Sequence, residues 1–165
     1  MEPTTFEAMY EAYAGDVYRF SRYLTGSEDA ASEITAETFF RAWAGRGKIR
    51  LSTAKSYLLT IARNLALDGF RQTRRWAHPL PETVVSSANA DARIELERTL
   101  AAISRLEAEY REPLLLTAAG GLSYEETAAI LKLPLATVKI RIYRARLKIA
   151  GMLGREEVIR HEHSQ

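Results

Sequence analysis

A chain of 165 residues, 47% of them apolar and with a net charge of +2, has room for one domain or two small ones and can bury a core. It contains no cysteine, which excludes disulfides, thiolate metal sites and direct thiol sensing. No apolar run reaches the length of a membrane span, and the opening MEPTTFEAMYE lacks the basic and apolar segments of a signal peptide, so a soluble cytoplasmic protein without membrane insertion is expected.

Almost no stretch alternates as a strand would, and helical periodicity dominates. Phe6, Met9, Tyr10, Tyr13, Val17, Phe20 and Leu24 step by three and four and predict a first amphipathic helix. Thr25-Gly26-Ser27 punctuates it, and a second helix is expected over about 28–43, with Ser27 as its cap and acids in its first turn. Glycines flank a basic tip in GRGKIR, 45–50, which reads as a loop. A third helix is expected over about 53–74, with Leu58, Ile61, Ala62 and Leu65 on one face. Arg63, Asn64, Asp68 and Gln72 add polar groups along it, and Arg71, Arg74 and Arg75 cluster toward its end. Such cations neutralise phosphates, and Asn or Gln can hydrogen-bond base edges. Asn64 can equally bridge helices, and Asp68 can pair with Arg71.

WAHPLPETVVSSANADA, 76–92, breaks the pattern with prolines and small polar residues and reads as a flexible linker. Helical spacing resumes at Ile94 and runs through Leu100, Ile103, Leu106, Tyr110, Leu114 and Leu115. Pro113 is tolerable there if its helix starts only about a turn earlier. The most informative stretch follows, AGGLSYEETAAILKLPLATVKIRIYRARLKI, 119–149. Gly120 and Gly121 break a helix, Ser123 and Glu126 form an S-x-x-E capping box, and the helix they open is expected to end near Leu133-Pro134. In the next helix Val138, Ile142, Ala145 and Ile149 form a stripe able to pack on the first. Acids outnumber bases across 82–126, whereas 127–155 carries bases alone. Capping box, turn, stripe and basic face together give a helix-turn-helix whose second helix enters a DNA major groove. The fold expected is therefore all-α, two small helical bundles joined by a flexible linker, the C-terminal one holding the helix-turn-helix.

Other classes fit less well. The histidines, His78, His161 and His163, lie in the linker and the tail, no nucleophile has a base beside it, and no glycine-rich phosphate loop follows a strand, so no enzyme, metal or cofactor is expected. A stand-alone helix-turn-helix regulator would normally dimerise to read a palindrome, and the chain offers no heptad seam for that.

Three motifs, ASEITAETFFRAW (31–43), SYLLTIARNLALDGFR (56–71) and GLSYEETAAILKLPLATVKIRIYRAR (121–146), resemble in combination the extracytoplasmic-function (ECF, group 4) sigma factors of bacterial RNA polymerase, of the sigma-70 family. The resemblance spans about 6–153 and implies an alternative sigma factor, not an enzyme, that binds core RNA polymerase and promoter DNA. It implies a region 2-like domain over 1–75, a linker over 76–93, a region 4-like domain over 94–155 and a tail over 156–165. Core polymerase would meet Glu33, Glu37 and Phe40. The −10 element would meet Lys48, Arg50, Arg63, Asn64, Asp68, Arg71, Arg74 and Arg75. The −35 element would meet Lys139, Ile140, Arg141, Tyr143 and Arg144. An anti-sigma factor is a further implied partner, with the chain a monomer outside the holoenzyme. The sequence departs from the family pattern where Glu33 and Ala36 replace the usual Asp and Gln, and where Ala136 and Ile140 flank Thr-Val-Lys in place of Gly and Ser. Ile140 on the DNA face predicts a preference for a thymine methyl or for DNA shape.

Overall fold

Seven helices and two short 3-10 turns carry residues 3–73 and 90–154, the part of the chain that the computed structural model describes, and no strand occurs among them. Arg74, Arg75, residues 76–89 of the expected linker, and the tail with His161 and His163 lie outside the described residues, as does the side chain of Arg71.

Helix α1 (Pro3–Thr25) buries Met9, Val17, Phe20 and Leu24, the stripe its spacing predicts. Two buried hydroxyls that would otherwise lack partners donate back along it, Ser21 to the Val17 carbonyl and Thr25 to that of Ser21, each at 2.7 Å. Gly26 adopts φ +70, and the Ser27 hydroxyl accepts from the Ala30 N–H at 3.1 Å to start α2 (Glu28–Ala44). The two 3-10 turns, Arg46–Lys48 and Leu51–Thr53, occupy the expected loop and lead into α3 (Ala54–Thr73). The buried face of α3 is Leu58, Leu59, Ala62 and Ala66, and Ile61, expected on that face, is only half-buried. The reason is tertiary: the C-terminal helices pack on the Leu59 side of α3, which turns the buried face away from Ile61.

Helix α4 (Ala90–Ser104) begins inside the segment expected as linker, with Asp91 favourably placed in its first turn. In α5 (Ala108–Ala118) Pro113 is the sixth residue, beyond the four free N–H groups of a helix start. The missing donor therefore costs α5 one internal bond, to the Glu109 carbonyl, rather than none. Helix α6 (Tyr124–Leu131) opens on the predicted capping box: Ser123 Oγ accepts from the Glu126 N–H and Glu126 Oε1 from the Ser123 N–H, each at 3.0 Å. It ends earlier than the proline rule suggests, because Lys132 turns left-handed (φ 56) and the Leu133 N–H reaches back to the Ala128 carbonyl. Pro134 then caps α7 (Leu135–Leu153) from an extended conformation.

Two apolar clusters result. The smaller joins Leu106, Leu114 and Ala128 to Val138, Ile142 and Ala145 of α7, so the apolar stripe of α7 packs on α6 as expected and on the α5 side as well. The larger crosses the chain: residues of α1, α2 and α3 share it with Ile103, Leu115, Leu116, Ala119 and Leu122. The N-terminal bundle of three helices and the C-terminal bundle of four thus pack against each other, with α1 touching α4 and α5 and α3 touching α6.

Candidate nucleic-acid interface

At 100° per residue, burying Val138, Ile142 and Ala145 on one side of α7 determines which side chains face out. Lys139, Ile140, Tyr143, Arg144 and Leu147 fall on an opposing arc about 140° wide, and all five are exposed, Ile140 at 49% and Tyr143 at 44%. The Ile140 and Tyr143 side chains lie within that arc, and Arg141 sits about 100° beyond Ile140, half-buried at the margin. Four of the five expected −35 residues are brought together; Arg141 is set apart. Not every cation of α7 is available to DNA. Lys148 lies 3.7 Å from Glu107 and over the Tyr110 ring, which ties it to the fold.

Geometry divides the other expected DNA residues more sharply. Lys48 and Arg50 are exposed on the short turns before α3, and Asn64 and Asp68 are exposed along α3. Arg63 is turned about 100° away from Asn64 and faces the C-terminal bundle. Its Nε and Nη2 lie 3.2 and 3.4 Å from the two carboxylate oxygens of Glu112 on α5. Ser56, a helical neighbour two turns earlier, donates to Glu126 Oε2 at 2.8 Å, and Lys55 Nζ donates to the Gly121 carbonyl at 3.1 Å. On α1, Arg19 Nε donates to the Ala119 carbonyl at 3.1 Å and its guanidinium also pairs with Asp16. The Ser123 N–H, the Ser56 hydroxyl and the Lys55 charge hold the Glu126 carboxyl below its ordinary value, because each favours the ionised form.

The third group lies on α2. Burying Ala30, Ala31, Ile34 and Phe39 turns Glu33, Glu37 and Phe40 outward along one exposed strip, with Glu37 holding Arg41 at 2.9 Å. Phe40 is 68% exposed, and exposed apolar residues Leu51 and Tyr10 belong to the same bundle. Trp43 stands at the end of α2, where the Arg46 guanidinium lies 3.9 Å from the ring centroid and donates to the Trp43 carbonyl. Arg46 and Leu51 lie in the 46–52 loop that the resemblance assigns to the −10 element, whereas Trp43, Glu112, Lys55 and Arg19 are not among the site residues expected from sequence. Acid excess in 82–126 was a signal for Glu112, but its partner on α3 is 49 residues away.

Among the described residues no group of His, Asp and Glu could hold a metal, and no helix is long and apolar enough to cross a membrane.

Comparison with known proteins gives a consistent answer. Residues 9–76 match the family model Sigma-70 region 2, and residues 96–149 match Sigma-70, region 4. The chain is 34% identical to the ECF RNA polymerase sigma factor EcfG of Rhodopseudomonas palustris, over 81% of this chain and 77% of that one. It is 35% identical to the ECF RNA polymerase sigma factor SigC of Mycobacterium tuberculosis, over 85% and 78%. In fold it is similar to the sigma factor RpoE of Bartonella quintana, solved in complex with the anti-sigma factor NepR, with a TM-score of 0.75, 24% identity and coverage of 93% and 99%.

Proposed function

The chain belongs to the extracytoplasmic-function sigma factors of the sigma-70 family, alternative sigma factors that direct transcription initiation, and on that premise we propose how its parts divide the work. The N-terminal bundle, residues 1–75, docks on core RNA polymerase through Glu33, Glu37 and Phe40. Lys48, Arg50, Arg63, Asn64 and Asp68, continued by Arg71, Arg74 and Arg75, take the −10 element. The C-terminal bundle, 94–155, inserts α7 into the −35 major groove, where Lys139, Ile140, Tyr143 and Arg144 meet base edges and phosphates and Arg141 meets the backbone from the margin. The chain supplies specificity, and the polymerase performs the chemistry.

One observation carries this reading: Val138, Ile142 and Ala145 of the α7 stripe are buried while the opposite face is exposed, cationic and centred on Ile140 and Tyr143. A bundle using its charge only for solvation has no reason to place an isoleucine and a tyrosine there.

An anti-sigma factor is proposed as a regulatory partner. An open, mainly apolar cleft of about 230 Å³ between α1, α4 and α5, lined by Tyr23, Ile103, Leu114 and Leu115, suits an apolar anchor from such a protein.

The test is run-off transcription by purified core polymerase on genomic promoter fragments, with and without the chain. Initiation that depends on the chain, at fragments sharing one −35/−10 pair, is the expected result. Sequence-specific binding by the chain alone with no initiation would favour a stand-alone regulator.

A further inference from the structure

We propose that α7 reads the C5-methyl group of a pyrimidine, whichever base carries it, so that methylating a cytosine at C5 strengthens −35 recognition as much as stripping the methyl from a thymine weakens it. This rests on the placement of α7 in the −35 groove above, and it deepens that reading by naming the chemical group that Ile140 meets.

The surface of α7 limits what the helix can read. Ala136, Tyr143, Leu147 and Ile140 are all exposed and fall within about 60° of one another around the helix, with Lys139 at one edge of the band and Arg144 at the other. The centre of the face is therefore apolar and its margins are cationic. Cations at both margins suit the phosphates that wall a major groove, which leaves the band between them over the base edges. In that groove amides pair with adenine, carboxylates accept from cytosine, and Arg or Lys donates to guanine. The helix, LATVKIRIYRARLKIAGML, contains no Asn, Gln, Asp or Glu. Its means of direct readout are its cations, the Thr137 and Tyr143 hydroxyls, and the apolar band. The feature that an apolar side chain recognises on a base edge is the C5-methyl. Recognition helices meet base edges through their N-terminal residues, which selects Ile140, the sixth residue of α7, ahead of Leu147. Ile140 is 49% exposed, so covering it with a methyl group removes apolar surface of both from water.

Thymine brings that methyl to an A·T pair. 5-Methylcytosine brings the same group, on the same ring carbon, to a G·C pair, and an apolar contact makes no use of the oxygen or amino group beside it. Ile140 thus answers to the methyl rather than to the base, and C5 methylation of promoter cytosines becomes a signal that this face detects.

The probes are promoter duplexes carrying the −35/−10 pair found by run-off initiation, bound in competition to core polymerase holding the full chain. Each pyrimidine of the −35 element is varied in turn as thymine, uracil, cytosine and 5-methylcytosine, with the matching purine opposite. Thymine and uracil differ by the methyl alone, as do 5-methylcytosine and cytosine. At one and the same position both methyls should tighten binding by about fourfold, the worth of one buried methyl group. Ile140→Ser should bring both ratios to about one, because the side chain that covers the methyl is gone. The ratios in the unsubstituted chain need no variant, so they decide even if Ile140→Ser folds poorly. 5-Methylcytosine bound no better than cytosine at every position would overturn the inference. Ratios that survive in Ile140→Ser would overturn it too, by assigning the effect to DNA shape. No initiation on any fragment would overturn the sigma reading and this one with it; initiation with methylated and unmethylated duplexes bound alike refutes the methyl reading alone.

Discussion

Gly120→Ala is the most direct probe of how tightly the two bundles meet. A Cβ at Gly120 would lie 2.8 Å from the Leu116 carbonyl oxygen and 2.8 Å from Leu59 Cδ1. The first atom is backbone in the last turn of α5, and the second ends a side chain that is fully buried in the larger cluster. Neither yields without displacing its surroundings, so the added methyl should cost about 1–3 kcal/mol, the range for overpacking a filled core. With a urea dependence of about 2 kcal/mol per molar, the unfolding midpoint falls by roughly 0.5–1.5 M. Gly47→Ala is the control: nothing lies within 4 Å of its added carbon, so its change should stay within about 0.5 kcal/mol. A double-mutant cycle separates the two collisions. Leu59→Ala alone leaves a cavity and costs about 2–5 kcal/mol, but it also removes the Cδ1 contact, so combined with Gly120→Ala the loss should be smaller than the sum by about 1 kcal/mol. Equilibrium urea unfolding followed by circular dichroism measures all four proteins. Gly120→Ala within 0.5 kcal/mol of the unsubstituted chain, or strict additivity with Leu59→Ala, would refute the close approach of α3 to the α5–α6 turn.

Phe40→Ala should leave the fold nearly untouched, within about 0.5 kcal/mol, since the ring is 68% exposed, yet weaken binding to core polymerase by about 2 kcal/mol as a buried interface aromatic would; loss of thermal stability in step with binding would assign Phe40 to the core instead. Replacing the contacted −35 thymine by deoxyuridine removes one methyl group, worth about 0.8 kcal/mol, and should weaken the unsubstituted chain about fourfold while leaving Ile140→Ser unaffected. Equal responses of the two proteins would remove Ile140 from base readout. Glu126 has a carboxyl held below its ordinary 4.5 by the folded state, so its contribution is present above that value and disappears as pH falls through the lowered one. Glu126→Gln should therefore show a shallower fall of melting temperature than the unsubstituted chain on acidification from about pH 5 to pH 3; parallel curves would mean that Glu126 titrates in the fold as it does in the open chain.

Local features were legible in the sequence where their causes are local. Ser27 and Ser123 cap helices because a short hydroxyl side chain reaches an orphan N–H a few residues on, and both are at the positions their neighbours predict. The α7 stripe is fixed by its own spacing, and the exposed face follows from it by geometry. Errors arose where a rule gave a boundary that a competing contact moved. Lys132 ended α6 ahead of Pro134 by turning left-handed, and α4 began before its apolar spacing became visible.

The sequence by itself determined an all-helical chain with a helix-turn-helix near its C-terminal end and the family to which those motifs belong, because capping, periodicity and turn residues act within a few positions of themselves. Tertiary structure alone decided what Arg63 does. Periodicity places Arg63 on α3 beside Asn64, but only the packing of the bundles brings Glu112 from 49 residues away onto its guanidinium. It likewise made Gly120 a contact point for Leu59 and gave Glu126 a second bond, to Ser56, beyond its capping role. Long-range pairing depends on shapes and charges that meet only after both bundles have folded, and no local pattern records which residue will stand opposite.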